Sequence, residues 1–136
     1  MMGREFASAA ARWFHLPDMN IRPEIVAICH RTLSAEKDNW FKSNIPTIKQ
    51  VTDDYRELLD NRDVEAVYIS VPHNLHREFY RAALEAGKHL MGEKPFGIDK
   101  KANDAIMACI SRRPDLFVRC SSQFMFLPAV QRIGRM

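Results

Sequence analysis

No run of apolar residues in this chain approaches the roughly 20 that a bilayer-spanning helix needs, so an integral helical membrane protein is not indicated. The start, Met1-Met2-Gly3-Arg4-Glu5, lacks the charged-then-apolar build of a signal peptide. Cysteine is scarce: Cys29, Cys109 and Cys120 are odd in number, widely spaced and form no CxxC pair. A disulfide framework or a zinc site therefore has no basis in the spacing, and a reducing, cytoplasmic setting fits best. A dominant charge is missing too, since twenty Lys+Arg against seventeen Asp+Glu leave a formal net charge of +3. The basic residues are scattered rather than striped, which argues against a nucleic-acid partner.

What remains is ordinary globular composition. Hydrophobic residues make up 46% and charged residues 27% of 136 residues, enough for one domain of usual size. The apolar pattern alternates between two periods. Phe6, Ala9, Ala10, Trp13 and Phe14 recur at helical spacing between Glu5 and Leu16, before Pro17. Glu24 to Cys29 is a short, continuous apolar run, the pattern of a strand covered on both faces. Ser34 is placed to cap a helix to about Lys42, and Thr52 to cap another that ends near Asn61. Ala66 to Val71 is the strongest strand signal and stops at Pro72. Leu75 to Ala86 reads as a helix with Leu75, Phe79, Ala82, Ala83 and Ala86 on one face, closed by Gly87 at its C-cap. His89-Leu90-Met91, a helix over Asp99 to Arg112 and Leu116 to Cys120 complete the series. Strand and helix in turn, with short loops and unalternating strands, predict an α/β fold with a parallel sheet.

Ligands of open parallel sheets bind beyond the carboxyl ends of the strands. Three polar clusters are expected there: His30-Arg31-Thr32, Pro72-His73-Asn74-Leu75-His76 and Gly92-Glu93-Lys94-Pro95. Lys94 can donate charged hydrogen bonds to a ligand hydroxyl or carboxamide, and an ion pair with Glu93 at the surface is the competing reading. His73 and His76 lack further ligands at metal spacing, so no metal site is expected. Asn74 is placed to cap the helix that follows.

The run Val64-Glu65-Ala66-Val67-Tyr68-Ile69-Ser70-Val71-Pro72-His73-Asn74-Leu75-His76, followed by Ala82-Ala83-Leu84-Glu85-Ala86-Gly87-Lys88-His89-Leu90-Met91-Gly92-Glu93-Lys94-Pro95, resembles the glucose–fructose oxidoreductase, inositol dehydrogenase and rhizopine-catabolism (Gfo/Idh/MocA) family. The resemblance runs from Gly3 to about residue 130. It implies a Rossmann-like, doubly wound parallel sheet and hydride transfer between a sugar or polyol-like alcohol and a nicotinamide cofactor. It also implies that Lys94 lies near the nicotinamide and the substrate hydroxyl as the catalytic residue, with Glu93 beside it. Pro72, His73, Asn74 and His76 match a loop lining the dinucleotide. Gly3 matches the last glycine of a GxGxxG fingerprint, whose helix start faces the pyrophosphate. Where relatives place an Asp for the adenosine ribose, this chain has His30, Arg31 and Thr32, which favours NADP over NAD.

Measured against that pattern, the chain starts after the first strand and its Gly-x-Gly turn. It stops at Met136, where relatives enter a substrate domain that carries an acid–base Asp and His. The expected organisation is a partial nucleotide-binding domain over 1–122 and the start of a second domain over 123–136, with Met125 where relatives often have Arg. The resemblance implies an oxidoreductase represented by an incomplete, weakly active or inactive fragment. The alternative is a non-catalytic nucleotide-binding remnant acting through protein–protein contacts. The complete enzyme would take a small sugar or polyol-like substrate, bind neither nucleic acid nor membrane, and could form a homo-oligomer through the second domain.

Overall fold

A computed structural model describes residues 2–12, 20–32 and 34–135, apart from the side chains of Lys37 and Met125. It divides into two compact units, Met1–Glu65 and Ala66–Met136.

The first unit opens with helix α1 (Met2–Ala10), continues through strand β1 (Ala27–Cys29), helix α2 (Ala35–Asn44) and strand β2 (Gln50–Thr52), and closes with helix α3 (Tyr55–Asp60). β1 and β2 pair in parallel, Ala27 opposite Gln50 and Cys29 opposite Thr52. The expected helix to Leu16 is described only to Ala10, and Trp13, Phe14 and Pro17 lie outside the described residues. β1 takes up only the end of the predicted 24–29 strand. Just before it, the Val26 carbonyl accepts from Lys49 and Gln50 and the Ile25 carbonyl from the Thr47 hydroxyl. β2 was not anticipated, because Gln50-Val51-Thr52 offers a single apolar residue; pairing with β1 makes it a strand. Thr52 is consequently a strand end and not a helix cap. Asp54 is the N-cap of α3, its carboxylate accepting the Arg56 N–H at 2.9 Å.

The second unit holds strand β3 (Ala66–Ile69), a 3₁₀ turn over His73–Leu75, helix α4 (His76–Glu85), strand β4 (His89–Glu93), helix α5 (Lys100–Ser111), strand β5 (Val118–Ser121), a 3₁₀ turn over Phe124–Phe126 and helix α6 (Pro128–Ile133). Its strands form one parallel sheet ordered β3-β4-β5, with Tyr68 opposite Met91 and Met91 opposite Arg119. Between parallel neighbours the crossovers are helices, as such a sheet requires. α4 packs against β3 and β4, and α5 against α4.

Local chemistry explains the boundaries. Asp99 caps α5, accepting the Ala102 N–H at 2.7 Å. Gly87 ends α4 at φ 77°, a left-handed turn that a side chain would strain. Asn74 does not cap α4: it sits in the 3₁₀ turn, and the cap position falls to Leu75 without a side-chain bond. The inward face of α4 is also turned from the predicted one. His76, Tyr80, Ala83 and Leu84 are buried, at the i, i+4, i+7, i+8 spacing of one helical stripe. A histidine and a tyrosine can occupy that stripe because each finds a partner for its polar atoms, as described below.

The architecture is α/β with parallel strands, Rossmann-like, in two sheets rather than one. In the strand order 3-2-1-4-5-6, strand 1 joins the two halves. Among the described residues no strand pairs with both β1 and β3, and β1-β2 and β3-β4-β5 are two hydrogen-bonded sheets. No helix of the described residues is long and apolar enough to cross a membrane.

Candidate functional site

Of the three polar clusters expected at one sheet edge, the structure brings two together. Pro72 to His76 follows β3, and Lys94-Pro95 follows β4, both in the second unit. His30-Arg31-Thr32 follows β1 and belongs to the other sheet.

β4 runs two residues further than the sequence suggested, taking in Gly92 and Glu93. Parallel register sets Tyr68 beside Met91, and strand alternation then puts Glu93, two residues on, on the Tyr68 side of the sheet. The Tyr68 hydroxyl donates to Glu93 Oε1 at 2.6 Å. From β5, Ser121 lies near the same carboxylate and favours its charged form. The other oxygen, Oε2, accepts the backbone N–H of Lys94 at 3.2 Å. Burial pushes the Glu93 carboxyl up, but these donors and the nearby Lys94 charge outweigh it, holding the group below its ordinary value. Glu93 is 8% exposed, so a buried carboxylate is satisfied from three directions. Burial raises the Tyr68 phenol above the usual tyrosine value, and the bond to Glu93 adds to the rise.

The main chain of the same residue is held from behind. Tyr80 is fully buried and donates its hydroxyl to the Glu93 carbonyl at 3.0 Å. Its ring lies over Gly92 so closely that a Cβ there would come within 2.7 Å of it, which is why glycine stands at that position. His76 stacks on Tyr80 with ring centroids 4.8 Å apart. Both its nitrogens face carbonyl oxygens, Nδ1 at 2.8 Å from Pro95 and Nε2 at 3.1 Å from Val71. His76, expected to line the dinucleotide, is fully buried, with its polar atoms spent on the protein.

Lys94 is the outward member of this turn. It is exposed, its peptide bond to Pro95 is cis, and among the described residues its ammonium makes no hydrogen bond or ion pair. The competing picture of a Glu93–Lys94 surface ion pair fails, because Glu93 points inward and is bound by the Tyr68 hydroxyl. Pro72, His73 and Asn74 are exposed at the end of β3. Along β4 and β5 a cleft is lined by Met91, Arg119, Ser121, Gln123 and Phe126, with the Arg119 guanidinium 5.1 Å from the Phe126 ring centre.

In the first unit, His30 Nε2 lies 2.8 Å from Asp38 Oδ1 without hydrogen-bond alignment, and Nδ1 lies 2.9 Å from the Thr32 carbonyl. Arg31 and Thr32 are exposed, and among the described residues Arg31 pairs with no carboxylate. Gly3 lies in α1 with nothing within 4 Å of where a Cβ would sit, so packing does not demand glycine there.

Tyr68, Tyr80 and Ser121 carry no motif in the sequence that marks them as part of a site. Tyr80 had a legible signal, its i+4 spacing from His76. Tyr68 and Ser121 did not, because their relation to Glu93 exists only through the register of three strands.

Both the sequence and the fold of this chain are matched among known proteins. Residues 1–118 match the Gfo/Idh/MocA family, described as an oxidoreductase family with an NAD-binding Rossmann fold. The chain belongs to this family. It is 33% identical over 110 residues to trans-1,2-dihydrobenzene-1,2-diol dehydrogenase of Bos taurus, covering 81% of this chain and 32% of that protein. The fold matches a scyllo-inositol dehydrogenase from Lactobacillus casei, solved with NAD(H) and scyllo-inositol, at a TM-score of 0.83 and 22% identity over 98% of this chain and 37% of that one. A 3-ketoreductase from Actinomadura kijaniata, solved with NADP and TDP-benzene, matches at a TM-score of 0.70 and 30% identity over 85% and 34% of the respective chains. The chain thus spans about a third of the length of these relatives.

Proposed function

We propose that the second unit carries the nicotinamide-side part of an NAD(P) site in an oxidoreductase acting on a sugar or polyol-like alcohol, with Lys94 as its catalytic residue. The observation that carries this reading is the unpartnered Lys94 ammonium at the carboxyl end of β4, in a family of nicotinamide-dependent oxidoreductases. The residues fit such a cofactor. A cation without a protein partner is available to a carboxamide or a hydroxyl, and the exposed Pro72-His73-Asn74 turn offers polar groups at the neighbouring strand end. The cofactor would accept or supply the hydride; Lys94 would orient a substrate hydroxyl and stabilise the charge on its oxygen as the proton leaves. Glu93 contributes by fixing the turn and not by touching ligand, and His76 does likewise.

For the cofactor we favour NADP. Beyond β1 the exposed Arg31 offers a guanidinium, suited to a 2′-phosphate. The related structures hold NAD(H) in one case and NADP in another.

The test is titration of the 136-residue chain with NADPH and NADH, followed by nicotinamide fluorescence. Saturable binding that Lys94→Ala weakens about tenfold supports the site, the expected size for a hydrogen bond from a charged donor. Arg31→Ala should erase a preference for NADPH while leaving NADH unaffected. Absence of saturable binding by either nucleotide would overturn the proposal and favour a remnant that works through protein contacts.

A further inference from the structure

We infer that Tyr68 is the residue that positions Lys94, acting through the Glu93 carboxylate. The functional half of this inference rests on the role proposed for Lys94; the geometric half does not.

Lys94 is exposed and its ammonium makes no hydrogen bond or ion pair among the described residues, so its backbone is what the protein holds, through the residue before it. That residue is gripped twice. Tyr80 of α4 binds the Glu93 carbonyl, and Tyr68 of β3 binds the carboxylate, whose second oxygen takes the Lys94 N–H. The carboxylate is therefore a link between two strands: a hydroxyl from β3 enters on one oxygen, and the amide of the lysine leaves from the other. Ser121 of β5 lies near the same carboxylate. A carboxylate this deeply buried holds one orientation only while its donors are present. Removing the Tyr68 hydroxyl leaves Oε1 short of its closest donor at 2.6 Å and lets the side chain turn away from the Lys94 amide. Tyr68 touches no ligand in this scheme; its effect reaches the site through Glu93 and the backbone of Lys94.

Tyr68→Phe removes one oxygen and leaves the ring. Amide hydrogen exchange reads the geometric half. In the variant the Lys94 N–H should exchange about tenfold faster, the scale expected when a hydrogen bond to a charged group is lost. The Leu90 N–H, bonded to the Phe117 carbonyl at 2.9 Å in the same strand, should change little. Equal acceleration at Lys94 and Leu90 means general loosening and overturns the inference, as does no change at either. Nucleotide titration reads the functional half. Tyr68→Phe should weaken NADH or NADPH binding about threefold to tenfold in the parent chain and have no further effect in a Lys94→Ala background. Additive losses in both backgrounds would show that Tyr68 acts independently of the lysine and would sink the idea. If Tyr68→Phe does not fold, Glu93→Gln, which keeps the shape and removes the charge, must give the same selective exchange at Lys94 for the inference to stand. If the parent chain binds neither nucleotide, the proposed function fails, and the exchange pattern alone decides whether Tyr68 positions Lys94.

Discussion

His76 Nδ1 lies 2.8 Å from the carbonyl oxygen of Pro95, which ties the first residue of α4 to the turn that follows β4. Its other nitrogen faces the Val71 carbonyl at 3.1 Å, at the end of β3, so one buried ring holds two strand ends. His76→Ala removes both contacts, leaves the carbonyl that accepts the ring N–H without its donor and opens a cavity beside Tyr80. We expect a loss of about 3 kcal/mol, read from the midpoint and slope of urea unfolding. A loss under about 0.5 kcal/mol would show that the ring is not a structural tie.

Gly92→Ala should destabilise by about 1–3 kcal/mol, because the added Cβ would meet the Tyr80 ring at 2.7 Å. The displaced ring would also lose its hydroxyl contact with the Glu93 carbonyl. The same denaturation experiment checks this, and an unchanged midpoint would refute the close packing of strand on ring.

Asp99→Ala tests a local contribution away from the site. Loss of the 2.7 Å acceptor for the Ala102 N–H should cost about 1 kcal/mol, and Asp99→Asn should restore most of it. Nucleotide binding should not respond to either change.

The Glu93 carboxyl sets an acid limb of stability. Its folded value lies below its unfolded one, so in acid the unfolded chain binds more protons. The stability it contributes is complete above the unfolded value of about 4.3 and is lost as pH falls through the lowered folded value. Tyr68 and Tyr80 act with the opposite sign. Their phenols are raised, so their contribution is present below the usual tyrosine value of about 10 and declines as pH rises past it. The groups facing Glu93 are Tyr68 from β3, Ser121 and Cys120 from β5, Tyr80 from α4 and Lys94 beside it. In unfolding measurements across pH 2–7, the difference between the parent chain and Glu93→Gln should shrink towards the acid end. A difference independent of pH would contradict an ionised, hydroxyl-bound Glu93.

Much of this protein is legible in order along the chain. The helix over Lys100–Ser111 announces itself through Asp99, and the end of α4 through Gly87, because capping and a positive φ are decided by a few neighbouring atoms. The parallel α/β character follows from short continuous apolar runs separated by helical stretches, and the Glu93-Lys94-Pro95 turn is conspicuous between Gly92 and Phe96. β2 was not legible, since one valine between glutamine and threonine carries no periodicity and becomes a strand only by pairing with β1. Nor was the inward face of α4, where counting apolar residues favoured Leu75 and Phe79 over a histidine and a tyrosine whose polar atoms are satisfied at a distance.

The sequence by itself determined that a lysine would stand at a strand end beside a glutamate. It could not decide between an ion pair and two side chains that point apart, because both are compatible with adjacency. Tertiary structure decided it: alternation along β4 and parallel register with β3 and β5 turn Glu93 inward to Tyr68 and Ser121 of the neighbouring strands, while Lys94, past the end of the strand, is left to solvent.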